Sequence, residues 1–205
     1  MQAVLNADGT LQYMMGDFRN TVIDSAENAK VLVEAYKENF GISSEVEFRL
    51  ANIMTSEEYT NYKFRPYFNG SAVCDGSAYV VVKNDNNKLS KLSMTAPIPQ
   101  ELNSEKEELA EETVRSLVET YLQENPKYQQ FLTSLSEMQM IDCGSSVNAN
   151  GYVYQYFFTK GYSMYAVGIQ NNEVILFDCG MSLASGEKMV QGDGVNEAQQ
   201  SIDFD

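Results

Sequence analysis

The chain has 205 residues, 43% of them hydrophobic, with 29 acidic side chains against 14 basic ones and a formal charge of −15. Such a charge repels phosphate backbones and anionic lipid surfaces, so nucleic acid is excluded as an expected partner. Histidine is absent, which removes Ser-His and Cys-His nucleophilic pairs, histidine-ligated zinc and the commonest general base.

Thirteen tyrosines and ten phenylalanines supply enough apolar area for a core, and the length suits one large domain or two small ones. No stretch reaches the roughly 18 to 20 apolar residues of a membrane helix. Three cysteines, Cys74, Cys143 and Cys179, cannot all pair within one chain. Without a Cys-x-x-Cys spacing they read as buried free thiols, with a Cys143–Cys179 disulfide as the alternative in an oxidising compartment.

After a polar lead with an Asp8-Gly9 turn signal, apolar residues at 29, 33, 36 and 40 predict a helix over 24–40. Asp24 or Ser25 is its N-cap, Glu27 suits its first turn and Gly41 stops it. The period then changes to two: Val46, Phe48 and Leu50 alternate with polar neighbours, and Tyr62, Phe64 and Tyr67-Phe68 follow. Asn69-Gly70 is a hairpin signal leading into Tyr79-Val80-Val81-Val82, and Asn84 to Asn87 makes the next turn. Pro97-Ile98-Pro99 reads as a linker. A second helix is expected from Ser104, where Glu107 completes a capping box, with Leu109, Val114, Leu117, Val118 and Tyr121 on one side. Strands are then expected over 138–143, 152–159, 163–170 and 173–179.

The order helix, then about four antiparallel strands, occurs twice, with Asn86-Asn87 answered by Asn171-Asn172. The expected fold is therefore α+β, two tandem units each with one helix on a sheet of about four strands. The expected boundaries are a lead over 1–21, a first unit over 22–97, a linker over 98–103, a second unit over 104–182 and an acidic, solvated tail over 183–205.

The run Tyr62-Lys63-Phe64-Arg65-Pro66-Tyr67-Phe68-Asn69-Gly70-Ser71-Ala72-Val73-Cys74-Asp75-Gly76, followed by Tyr79 to Asp85 and Lys88-Leu89, resembles the fungalysin/thermolysin propeptide family. The match covers roughly residues 25 to 95, and the second half looks like the associated PepSY-type unit, which makes both cystatin-like in outline. The resemblance implies a module that assists or inhibits a protease, or that stands alone in a bacterial envelope. The sequence holds no His-Glu-x-x-His motif, so a propeptide role in cis is not expected. The resemblance implies an extracytoplasmic protein, secreted or a surface-tethered lipoprotein after loss of a signal peptide that this sequence does not contain.

Glu105, Glu107, Glu108, Glu111 and Glu112 stand at the start of the second helix, where the macrodipole favours anions, so no acid-base or cation site is read into them. The turn at Asp85 lacks the ligand pattern of a calcium loop. No metal or cofactor is expected. The positive feature is a row of rings, Tyr152, Tyr154, Tyr156 and Tyr165 among them. Alternation along strands must divide such rings between two faces, so these four are the candidate ligand or partner surface, with core or inter-unit packing as the other reading. The expected function is a non-enzymatic binding or regulatory module whose partner is a protease or a peptide. The alternative is a small-molecule or glycan receptor using the aromatic face, and a dimer is left open.

Overall fold

The structure is a computed structural model that describes residues 2–16, 21–99, 102 and 106–179. The tail over 183–205 lies outside the described residues, as do Ser104 and half of the expected linker. The described chain is mostly strand. Its eleven strands run, in hydrogen-bonded order, β1 (Gln2–Leu5), β2 (Leu11–Met15), β7 (Leu89–Thr95), β6 (Ser77–Lys83), β4 (Tyr59–Phe68), β5 (Ser71–Val73), β8 (Gln139–Asn148), β9 (Gly151–Lys160), β10 (Ser163–Gln170) and β11 (Glu173–Asp178), with β3 (Val46–Thr55) on the other side of β4, and its three α-helices are short. This corrects the expected α+β fold of two units with one helix and about four strands each.

Three features that periodicity does not encode account for the difference. The expected polar lead contains the hairpin β1 (Gln2–Leu5) and β2 (Leu11–Met15), and β2 adds to β7 (Leu89–Thr95) with Tyr13 opposite Ser93. A short β5 (Ser71–Val73) follows Asn69-Gly70, whose positive φ values of 47 and 77° turn the chain sharply after β4 (Tyr59–Phe68). β5 then pairs in parallel with β8 (Gln139–Asn148), Ala72 opposite Ser146 and Val73 opposite Val147, which makes the sheet mixed. Parallel partners this far apart in sequence leave no local signal.

Contacts divide the chain into two compact units, one of Met1–Glu107 with Gly144–Val153, the other of Glu108–Cys143 with Tyr154–Asp205. In the first, α1 (Ala26–Tyr36) begins at Ser25, whose side chain accepts the Asn28 N–H at 3.2 Å, and passes through a 3-10 turn to Gly41 at φ 72°. Ala29, Leu32, Val33 and Phe40 bury its stripe. β3 (Val46–Thr55) pairs with β4, and β4 exchanges neighbours on its other side. β6 (Ser77–Lys83) accompanies β4 up to Phe64, and β5 takes over at Tyr67. Pro66 falls in that gap, where its missing N–H costs no ladder bond.

In the second unit α2 spans Glu111–Glu124, so the capping box at Ser104 and Glu107 does not start it; its N-cap is Ala110. Burial decides the start. Val114, Val118 and Leu122, spaced by four, have no exposure at all, while Glu107 and Glu108 offer nothing to a core. A 3-10 turn over Pro126–Phe131 and the single-turn α3 (Leu132–Leu135) lead into β8, then β9 (Gly151–Lys160), β10 (Ser163–Gln170) and β11 (Glu173–Asp178). Arg115 of α2 donates to the carbonyls of Leu135 at 3.1 Å and Met138 at 2.8 Å, which ties the helix to the chain entering β8. The three cysteines are free; Cys143 is exposed and the other two are half-buried, so the expectation of buried thiols does not hold.

Candidate functional site

Of the four tyrosines read as a surface, Tyr152, Tyr156 and Tyr165 are buried and Tyr154 is half-buried. Tyr152 is buried in the first unit, 6.5 Å in centroid distance from the Phe68 ring, and its hydroxyl accepts from Asn69 Nδ2 at 3.3 Å. Tyr154, Tyr156 and Phe158 alternate down one face of β9. Their register partners Ile169, Val167 and Tyr165 stand on the same face of β10. That face carries the core beneath Val114, Val118 and Leu122, with Tyr156 and Tyr165 buried and Tyr154 half-buried against it. Tyr165 adds a hydrogen bond shared with Ser134 Oγ at 2.8 Å and packs edge-on to Phe131 at 5.1 Å. Burial pushes the Tyr156 phenol up to about 12, with the carboxylate of Asp142 adding to it. The structure thus does not bring these rings together at an exposed surface.

A concavity in the first unit was not marked by any motif. It is an open cleft of about 530 Å³, within the usual range of small-ligand sites. Four separate segments build it: the β1–β2 turn with Asn6, Asp8 and Thr10, the helix end at Phe40 to Ile42, Asp75 after β5, and Met94 to Pro97 at the end of β7. The turn is internally tied. Asn6 N–H donates to the Thr10 carbonyl at 2.8 Å, and Asn6 Nδ2 donates to Thr10 Oγ1 at 3.0 Å. Asp8 accepts from Thr10 Oγ1 at 2.6 Å and from the Thr10 N–H at 2.9 Å. These bonds, the side-chain one foremost, hold the Asp8 carboxyl below its usual value of 3.8.

Gly41 serves the cleft in two ways. Its φ of 72° ends the helix, and a Cβ there would stand 3.0 Å from Thr10 Cγ2, so its bareness lets the turn approach. Asp75 is itself in the left-handed region at φ 57°. The lining combines an apolar floor of Phe40, Ile42, Met94 and Pro97 with two acidic residues, Asp8 and Asp75, and the neutral polar residues Asn6, Thr10, Gln12 and Thr95. No Lys or Arg belongs to this lining. The field is that of an acceptor for cations. In the sequence Asp8-Gly9 was legible only as a turn and Gly41 only as a helix stop; that they meet Asp75 is a product of the β2–β7 and β6–β7 pairings.

Of the acidic residues around the start of α2, Glu105 lies outside the described residues, and Glu111 accepts from Arg115 Nε at 2.8 Å within the helix. No helix among the described residues is long and apolar enough to cross a membrane.

No protein-family model matches the chain, and no curated protein matches it. Among solved structures it is similar to the Bacillus megaterium YpeB C-terminal domain, at 11% identity over 82% of this chain and 71% of that one. The TM-score of 0.30 is too small a common geometry for that likeness to carry the fold or a function.

Proposed function

We propose that the protein is a non-enzymatic extracytoplasmic binding module that grips a partner peptide or protein through a cationic side chain seated in the Asp8–Asp75 cleft. The observation behind this reading is the pairing of two carboxylates with an apolar floor in one open concavity. A lysine or arginine side chain has the matching form, a charged head on a hydrocarbon stem. The resemblance of residues 25 to 95 to a protease propeptide supports a peptidase, or a peptide it handles, as the partner.

Magnitudes divide the work between the two parts of the cleft. Exposed ion pairs contribute about 0–1 kcal/mol, so the carboxylates chiefly select charge and speed encounter. The floor contributes at about 25 cal/mol per Å² of apolar area covered, so a stem of several methylenes matters more to affinity than its charge. A single side chain therefore binds weakly, and a whole partner adds the remainder through its own contacts.

Calorimetric titration with a lysine-containing tetrapeptide and its norleucine counterpart tests this. The lysine peptide is expected to bind, the norleucine peptide to bind several-fold more weakly, and Asp8→Asn with Asp75→Asn to abolish the difference. Equal binding of both peptides, or a lysine preference that survives both substitutions, would overturn the reading.

A further inference from the structure

β3 joins the sheet through β4 alone; its outer side has no strand partner among the described residues. Edges of this kind template pairing with another chain unless they are blunted. The first half of β3 is blunted by α1: Phe48 N–H donates to Glu34 Oε1 at 3.2 Å, and the Val46 carbonyl accepts from Lys37 Nζ at 2.8 Å. A register shift then leaves Ala51 as an extra residue between Leu50, opposite Phe64, and Asn52, opposite Lys63. Beyond this bulge no helix covers the strand. Leu50, Ile53 and Met54 are 45, 46 and 49% exposed, and no charged residue stands from Leu50 to Ser56. The one cap seen there is local, Asn52 Oδ1 accepting the Ile53 N–H at 2.8 Å.

We propose that this half of β3 is a self-recognition edge, on which a second copy of the chain pairs antiparallel about a two-fold axis. Charge selects that occupant. Lys30, Glu47 and Arg49 are joined by ion pairs at 3.8 and 2.9 Å and carry one net positive charge before the neutral stretch. The strand's other end runs into Glu57 and Glu58. Their turn is held in place by Asn84, whose N–H donates to the Glu58 carbonyl at 2.9 Å and whose Nδ2 donates to the Ser56 carbonyl at 2.7 Å. With Ile53 opposite Ile53, an antiparallel copy sets Arg49 opposite Glu57 of the second copy, and the two-fold axis repeats that pair. Parallel pairing would instead put acidic turn beside acidic turn. For a chain of charge −15, whose copies repel one another in general, this edge is complementary to itself. On pairing, the Ile53 N–H exchanges its own neighbour's amide for the carbonyl of the second copy, so Asn52 acts as the latch that competes with association.

Sedimentation velocity of the full chain over a range of concentrations tests this, with circular dichroism confirming that each variant is folded. The parent chain is expected to form a concentration-dependent dimer, and Ile53→Lys to remain monomeric. Arg49→Glu is expected to raise the dimer Kd roughly tenfold, and adding Glu57→Arg to it to restore the parent value. A chain that stays monomeric throughout overturns the proposal. So does a dimer indifferent to Ile53→Lys, a charge swap that restores nothing, or a monomer that instead takes up an unrelated β-forming peptide on β3.

Discussion

A Cβ placed on Gly76 would stand 2.5 Å from Cγ of Pro66 and 3.2 Å from the carbonyl oxygen of Thr95. The proline ring thus occupies the space that any side chain at Gly76 would need, at the place where β4 passes from β6 to β5. Overpacking of this kind costs about 1–3 kcal/mol. Gly76→Ala is expected to lower stability to urea by that amount, and to lower it less in a Pro66→Ala background where the ring is gone. An equal loss in both backgrounds would show that the clash is not the cause.

In the second unit the guanidinium of Arg115 donates to two carbonyls and to the Glu111 carboxylate, and lies 5.3 Å from the Phe158 ring centroid. Removing a donor from half-buried acceptors costs about 1–3 kcal/mol. Arg115→Ala should therefore destabilise by roughly 2 kcal/mol. Arg115→Lys, which keeps the charge but not the forked geometry, should recover only part of it. Hydrogen exchange at the α3–β8 junction is the local readout, and protection there unchanged in Arg115→Ala would refute the clamp.

Thr10 holds the Asp8 carboxyl below 3.8, first through its hydroxyl and then through its N–H. A carboxyl whose folded value is depressed adds stability that is present above its unfolded value and is lost as pH falls through the folded one. Thr10→Val removes the hydroxyl, with its bond to Asp8 and the one it accepts from Asn6, but keeps the N–H bond to Asp8, so the Asp8 carboxyl should titrate closer to 3.8, as followed by its carbon resonance in NMR. Since that carboxylate also lines the cleft, cation binding should fade over the same acidic window.

Tyr156 titrates in the opposite direction. Its phenol is raised from 10.0 to about 12 by burial, so its contribution is fully present below 10.0 and is lost as pH rises through about 12. Tyr156→Phe should remove this part of the alkaline destabilisation. Urea midpoints on either side of pH 10.0 measure it; parallel curves for parent and variant would mean that the ring reaches water.

Local grammar was legible in the residues themselves. Ser25 caps α1 and Gly41 ends its 3-10 extension because each local conformation needs that residue type. The turns at Asn69-Gly70 and Asn171-Asn172 adopt the positive φ that those residues tolerate. The span of β10 follows from its alternation between two turns. Tertiary structure alone decided how those pieces pair. Nothing in Ser71–Val73 announces a parallel partner at Ser146 and Val147, and nothing in Gln2–Leu5 announces a hairpin that extends the sheet beyond β7. Alternation states that two faces exist, but which face meets a helix is a property of packing. For that reason Tyr156 and Tyr165 sit in the core under α2, while Asp8 and Asp75, 67 positions apart in the chain, line one cleft.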